Sequence, residues 1–311
     1  MKQTQRPLIR IGSRGSRLAL WQAEWTQKAL EQQGIEAAVT VIQTTGDRVL
    51  DAPLAQLGGK GLFVKEIEEA LLAGKIDLAV HSMKDVPTQI PTPLMLAAIT
   101  RREDPRDVFI SRRGVLFADL PAGATLGTSA LRRQSQLLAI RPDLRCLSLR
   151  GNLDTRLRKM SEGVCDALIL AAAGLRRMGW EGQVTEYLSP EVSLPAIGQG
   201  ALGLECRRDD SATRERIAFL NDLETACCVA AERALLLRLE GGCQTPIAGH
   251  ATQSGAQLTL TGLVANLDGT QIIRVLQSGP SSAPEALGIA VAERLLARGA
   301  DALLKALHTP T

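Results

Sequence analysis

Aromatic residues are scarce: three tryptophans, one tyrosine and four phenylalanines in 311 residues. Binders of single-stranded nucleic acid rely on aromatic stacking platforms, and only Phe109 and Phe117 fall in the basic third of this chain. No helix-turn-helix, RRM or zinc-finger signature is present, so no nucleic-acid partner is expected. The six cysteines, Cys146, Cys165, Cys206, Cys227, Cys228 and Cys243, form no CxxC pair and no Cys/His spacing of the zinc type. They read as reduced thiols, which leaves no ground for a disulfide scaffold or a metal site. No stretch approaches the roughly 18 to 20 uninterrupted apolar residues of a membrane span. The opening "MKQTQRPLIRIGSRGS" also lacks the apolar core of a secretory signal. The expectation is a cytoplasmic protein with no membrane partner.

What is present is an ordinary apolar content, 45%, enough for two or three packed domains. The net charge of +3 conceals an asymmetry. Between Arg101 and Lys159 there are thirteen Lys or Arg against six Asp or Glu, so the remainder of the chain is about four units negative. Positive charge is thus concentrated in one third of the molecule, and a ligand of opposite sign is the natural reading.

Strands and helices alternate from the start. "LIRIGSR", "AAVTVIQT" and "DLAVHSM" read as strands, with helices at "RLALWQAEWTQKALEQQ", ended by Gly34, and at "GLFVKEIEEALLAG". The pattern restarts after "TRREDPRD", with strands at "VFIS", "ATLGTS", "RCLSLR" and "ALILA" and helices at "LRRQSQLLAI" and "LDTRLRKM". Two such α/β units imply two lobes on mainly parallel sheets, with a ligand cleft between them at the strand ends. Residues 211–239 are rich in helix formers, and Gly241 fits a helix C-terminus. Three β-type runs then follow, "PIAGHA", "AQLTLTGLVA" and "TQIIRVLQS", with a hairpin signal at Asp268-Gly269 and a last helical stretch from Pro284. These describe a small α+β third domain.

Two glycine motifs mislead. Gly198, Gly200 and Gly203 spell GxGxxG, but Pro195 precedes them and a strand-like "ALGLEC" follows, where a dinucleotide site needs strand before and helix after. "GGKGLF" resembles a phosphate loop, yet Lys60 is followed by Gly61 rather than Ser or Thr. His81 in "HSMKD" reads as a packing or hydrogen-bonding histidine.

The chemistry-bearing pattern is a set of arginines at strand-to-helix junctions: Arg14, Arg132, Arg133, Arg150, Arg156, Arg176 and Arg177. Helix N-termini favour anions and guanidinium forks bind carboxylates or phosphates in two-point fashion, so the set implies a ligand with many acidic groups. A two-lobed anion-binding protein without turnover fits this much. It does not explain Cys243, placed behind two glycines in "RLEGGCQTP", where a structural thiol has little to pack against.

Eight ordered segments carry a resemblance: "RIGSRGSRLALWQA", "GGKGLFVKEIE", "AVHSMKDVP", "REDPRDVF", "GTSALRRQ", "LRGNLDTRL", "LPAIGQGALGLECR" and "LEGGCQTPIA". Together they resemble the porphobilinogen deaminase (hydroxymethylbilane synthase) family over essentially the whole chain. The resemblance implies a transferase that joins four porphobilinogen molecules head to tail with release of ammonia, on a dipyrromethane cofactor held by a thioether to Cys243. It implies two doubly wound lobes of the type II periplasmic-binding kind plus a small domain with a three-stranded antiparallel sheet. The divisions would be residues 1–99 with 201–218, 100–200, and 219–311. Asp85 is the catalytic carboxylate by this resemblance. Lys60, Lys84, Asp85, Thr128, Ser129, Arg132, Arg133 and Arg150 would hold the cofactor. Arg14, Ser16, Arg150, Arg156, Arg177 and Gln199 would hold substrate. Gln56 and Ala130 depart from the lysine and serine expected there. The cysteine glycines, Gly241 and Gly242, would give the backbone conformations closed to other residues. Hinges are expected near residues 99–104 and 196–201, and a monomer is the expected state.

Overall fold

The computed structural model describes residues 8–45, 64–242 and 245–307. The first lobe contains β1 (Ile9–Ser13), α1 (Arg17–Gln32), β2 (Ala37–Val41), α2 (Lys65–Leu72), β3 (Leu78–Ser82) and β4 (Leu94–Ile99). Helix α1 starts where the Ser16 hydroxyl accepts from the Ala19 amide, and it buries Gln22, Ala23, Thr26 and Leu30 along one face. The second lobe contains β5 (Asp107–Ser111), β6 (Thr125–Gly127), α3 (Leu131–Ile140), β7 (Arg145–Leu147), α4 (Leu153–Ser161), β8 (Ala167–Ala171), α5 (Ala172–Met178) and β9 (Glu186–Leu188). The chain then returns through β10 (Leu202–Arg207) and α6 (Ser211–Ile217) to the first lobe.

The two sheets have matching orders, β2-β1-β3-β10-β4 and β7-β6-β8-β5-β9. Both lobes are doubly wound, but neither sheet is mainly parallel. In the first sheet β1 pairs parallel with β2 and β3, while β10 is antiparallel to β3 and β4. In the second, β6 is parallel to β7 and β8 and β5 is antiparallel to β8 and β9. The reason is topological: β5 and β10 are the strands next to the two crossings between lobes, and each runs against its neighbours.

The crossings run side by side, with Thr100 N donating to Leu202 O at 3.0 Å and Glu103 N to Gly200 O at 3.1 Å. This explains the GxGxxG run. Gly198 (φ +69°) and Gly200 (φ +94°) are left-handed, and a Cβ at Gly200 would sit 2.3 Å from the Glu103 carbonyl oxygen. The glycines permit close backbone approach between the two crossings.

The third unit packs α7 (Leu223–Arg238), α8 (Pro284–Leu296) and α9 (Ala300–Ala306) on a meander of β11 (Ile247–Ser254), β12 (Gln257–Ala265) and β13 (Ile272–Pro280). The sheet is antiparallel throughout, and Asp268-Gly269 makes the β12–β13 turn. Leu235, Leu258, Leu260, Val264, Val291 and Leu295 form its core, each full burial stabilising by about 1.5–3 kcal/mol. The helix-rich stretch 211–239 is divided, since Asp210 and Asp222 each cap a new helix by accepting from Thr213 N and Thr225 N. Among the described residues no helix is long and apolar enough to cross a membrane.

Candidate active site

Strand β3 ends at Ser82, and Met83–Asp85 form one turn of 3-10 helix, tied down by Met83 N donating to Ala201 O at 3.0 Å. Met83 is buried with Val86, Ala201 and Val229, so its neighbours Lys84 and Asp85 are carried on a fixed turn. Asp85 lines a small cavity with Arg14, Ser16, Gln22, His81 and Ser82, all supplied by the ends of β1 and β3 and the start of α1. The structure therefore brings together three sequence-predicted residues, Arg14, Ser16 and Asp85. The Ser16 hydroxyl is already occupied as the α1 cap, accepting at 3.3 Å. Burial pushes the Lys84 ammonium down to about 8, against the pull of Asp85 and with help from Arg133 and Arg132.

The second lobe presents the start of α3. Thr128 is buried and its hydroxyl accepts from Ala130 N at 3.2 Å, Ser129 is half-buried, and Ala130 as the N-cap residue gives the helix no side-chain cap. Arg132 and Arg133 follow, both buried, and both grip one carboxylate. Asp107 receives Arg132 Nη1 at 2.7 Å, Arg132 Nη2 at 3.1 Å and Arg133 Nη2 at 2.8 Å. Ser193 Oγ at 2.8 Å and Gln199 Nε2 at 2.9 Å also donate to Asp107. Burial alone would raise the Asp107 pKa, but the two guanidinium groups hold it far below the ordinary carboxylate range. Gln199 additionally accepts from Arg132 Nη2 at 3.1 Å, so it is a buried brace of this network, at the second crossing.

Asp107 is the site residue that sequence reading missed. Its signal was an acid opening the otherwise apolar strand "DVFI". Glu232 was missed too: fully buried on α7, it accepts from Arg102 Nη2 at 2.8 Å and Gly198 N at 2.7 Å, fastening both crossings to the third unit.

Arg150 and Arg156 flank the start of α4, and Arg156 Nε donates to Gly151 O at 2.8 Å. Burial and Arg133 push the Arg156 guanidinium down to about 10, against the pull of Asp85 and alongside Arg150. Arg177 lies apart from the Asp85 cavity. It donates to Gly200 O at 2.6 Å and lines a separate cavity of about 460 Å³ with Trp21, Glu103, Arg176, Glu181 and Tyr187. Lys60, Gln56 and Cys243 lie outside the described residues.

The approach to Cys243 differs from expectation. The left-handed residue after α7 is Glu240 (φ 54°), and neither Gly241 nor Gly242 has positive φ. Gly241 is needed for space, since a Cβ there would collide with Ile247 Cδ1 and Leu236 Cδ1, while a Cβ at Gly242 would meet none of the described residues within 4 Å. The helix is capped by Leu239, and Gly241 N still reaches back to Leu236 O at 3.0 Å.

Beneath the Asp85 cavity, His81 Nε2 lies 2.8 Å from Glu205 Oε2, both buried, as the hydrogen-bonding reading of that histidine required. Burial and the charge of Glu205 push Glu68 up to about 7, against the pull of His81. A carboxyl whose folded-state pKa is raised contributes stability at low pH and loses it as pH rises toward that value, here between about pH 5 and 7. Glu68→Gln is therefore expected to match the parent near pH 5 and to exceed it at pH 8, by about 1 kcal/mol after solvent screening. Thermal melts of both proteins across this range check it; a constant difference contradicts it.

Two cationic groupings result: Arg14 lines the cavity of Asp85 with Lys84 next to it in the chain, while Arg132 and Arg133 converge on Asp107 in the second lobe. The buried Arg133 Nε has no hydrogen-bond partner among the described residues. Such a donor excess suits a ligand with several carboxylates. No group of three or more His, Cys, Asp or Glu able to hold a metal occurs among the described residues.

Comparison with known proteins gives the family. Residues 9–215 match the family described as "Porphobilinogen deaminase, dipyromethane cofactor binding domain", and residues 226–297 match "Porphobilinogen deaminase, C-terminal domain". A porphobilinogen deaminase of Geobacter sulfurreducens (strain ATCC 51573 / DSM 12127 / PCA) is 60% identical over 302 residues, covering 96% of this chain and 95% of that one. Another, from Syntrophotalea carbinolica (strain DSM 2380 / NBRC 103641 / GraBd1), is 59% identical over 306 residues and 97% of both chains. Among solved structures, the methionine-binding protein MetQ is 13% identical over 68% of this chain and 89% of that one, with a TM-score of 0.41, too low to carry further weight. A chain matched by both family descriptions, and nearly sixty per cent identical to such relatives from end to end, belongs to the porphobilinogen deaminase family.

Proposed function

We propose that Asp85 is the catalytic carboxylate of this transferase, which condenses four porphobilinogen molecules head to tail with release of ammonia and hydrolyses the product to hydroxymethylbilane. The observation that carries the assignment is the setting of Asp85: a carboxylate on a rigid turn, beside Lys84, lining a cavity with Arg14 and Ser16. Loss of ammonia from the aminomethyl group leaves a positive charge shared with the pyrrole nitrogen. A carboxylate next to that nitrogen stabilises the charge as it develops and can accept or return its proton. Lys84, protonated up to about pH 8, and the surrounding arginines hold the acetate and propionate groups and fix the ring against Asp85.

The residues present fit the dipyrromethane cofactor, because its carboxylates match the donor excess of the second lobe and the unpartnered Arg133 Nε. Thr128, Ser129, Arg132, Arg133, Arg150, Lys84 and Lys60 would hold it, and Cys243 would anchor it through sulfur. When bound, the cofactor supplies the terminal pyrrole carbon to which each new unit is joined. Arg14, Ser16, Arg156, Arg177 and Gln199 are assigned to substrate; Gln199 acts by bracing Arg132, and Arg177 from its own cavity. The three-domain division at residues 1–99 with 201–218, 100–200 and 219–311 is favoured by the return of β10 to the first sheet and by the separate core of the third unit. A cytoplasmic location is the reading favoured by five unpaired cysteines among the described residues, as a reducing compartment leaves them, and a monomer is the state proposed with it.

The test is an intact mass spectrum of the purified chain. A mass above that of the encoded residues, absent from Cys243→Ser, is the expected result. A chain of bare polypeptide mass that turns over porphobilinogen at full rate overturns the covalent assignment.

A further inference from the structure

Helix α7 has two functional faces. One, through Cys228, Ala231 and Leu235, belongs to the core of the third unit. The other reaches into the first lobe, where Val229 is fully buried with Met83, Val86 and Ala201, the apolar bed of the catalytic turn. Immediately after Asp85 the chain has no regular secondary structure until β4. The first three residues of that stretch are gripped by one guanidinium: Arg233 Nη1 donates to Val86 O at 3.3 Å, and Nη2 donates to Pro87 O at 2.7 Å and Thr88 O at 3.1 Å. Three successive carbonyls directed at one cation make a strong, charge-assisted grip on the backbone next to Asp85.

The same helix ends at Arg238 and leads through Leu239 and Gly242 into Cys243. At about 1.5 Å per residue, Arg233 sits less than two turns from the end of this rod. Its neighbour Glu232 meanwhile fastens both crossings between the lobes. A single helix therefore links the cofactor-bearing loop, the crossings and the catalytic turn.

We infer that Arg233 is a positioning residue that keeps the Asp85 turn in register with the Cys243 loop as the bound chain lengthens. This rests on the reading of Asp85 as the catalytic carboxylate. On the covalent assignment of Cys243, each added unit lengthens a tethered chain whose growing end must still meet Asp85, and Arg233 makes the turn follow the helix rather than the ligand. Without it the turn keeps its apolar bed and the Met83 N–Ala201 O bond, but the backbone that follows Asp85 loses its grip on α7, and misplacement grows with chain length.

The experiment uses the cofactor-loaded protein. Arg233→Ala and Arg233→Lys are mixed with porphobilinogen, quenched at intervals, and the covalent species carrying one to four added units are resolved by intact mass. Arg233→Ala is expected to lower kcat by about tenfold to a hundredfold, with KM within about twofold. Its cofactor mass should be retained, and its deficit should increase from the first to the fourth addition. Arg233→Lys, with one ammonium in place of the fork, is expected to fall between, and added guanidinium is expected to restore part of the rate to Arg233→Ala. Stage rates within twofold of the parent overturn the inference. A deficit equal at every stage, accompanied by loss of cofactor, also overturns it and makes the contact merely structural. Asp85→Ala run in parallel separates the two readings: if it is inactive while Arg233→Ala is normal, only the Arg233 inference fails. If Asp85→Ala is fully active, the Asp85 reading fails and takes this one with it.

Discussion

Asp85→Ala is expected to lower kcat for ammonia release by about a thousandfold, with the cofactor still attached and the melting temperature little changed. The size of the effect follows from the absence of a substitute. Among the described residues lining its cavity, Asp85 is the one carboxylate. Asp107 is consumed by Arg132, Arg133, Ser193 and Gln199, and Glu205 is bound to His81 below the floor. The charged side chains beside Asp85 that remain, Arg14 and Lys84, are cationic, and a cation cannot stabilise a developing azafulvene-type positive charge. Stability should be spared because Asp85 follows a turn anchored by Met83 and Arg233, not by its own side chain. Asp85→Asn tests the charge itself: it preserves shape and hydrogen bonding and should recover little of the lost rate. A kcat within tenfold of the parent for either variant would remove Asp85 from the chemistry.

What could be read from sequence was what depends on near neighbours in the chain. Helix α1, the Asp268-Gly269 hairpin and Arg132 and Arg133 at the β6–α3 junction are local patterns, and each is found where local chemistry puts it, whereas Arg176 and Arg177, expected at a strand-to-helix junction, stand in the last turn of α5. What could not be read depends on contacts set by topology. Arg132 and Arg133 were legible as anion-binding residues, but their anion within the protein, Asp107, lies 25 and 26 residues earlier, and Ser193 reaches it from 86 residues away. Only the insertion of β5 between β8 and β9 brings these together. Glycines show the same limit. A sequence gives no means of telling a glycine chosen for left-handed backbone, such as Gly200, from one chosen for lack of volume, such as Gly241. The mainly parallel sheets inferred from alternation failed for the related reason that a strand's direction is fixed by where the chain comes from.

The buried network around Asp107 yields the largest expected effect on stability. Asp107→Ala would leave two buried guanidinium groups without a counter-charge, and breaking a buried ion pair on one side costs about 3–5 kcal/mol. Arg132 would retain Leu194 O and Gln199, and Arg133 would retain Ile169 O, so hydrogen bonding is only partly lost and the charge imbalance is the main term. The pH dependence distinguishes this from the Glu68 case. A carboxylate with depressed folded-state pKa contributes stability above its unfolded value, and that stability is lost only as pH falls through the folded one. For Asp107 the folded value lies far below the ordinary range, so the deficit of Asp107→Ala should be constant from pH 5 to 8, whereas the gain of Glu68→Gln should appear only as pH rises toward 8. Urea midpoints at three pH values measure both. The same variant should also load less cofactor, because Arg132 and Arg133 lose the carboxylate that holds their forks in place before any ligand arrives. Normal cofactor occupancy in a destabilised Asp107→Ala protein would mean that these arginines serve the fold alone, and the acidic groups of the ligand would then have to be met by Lys84, Arg150 and Arg156.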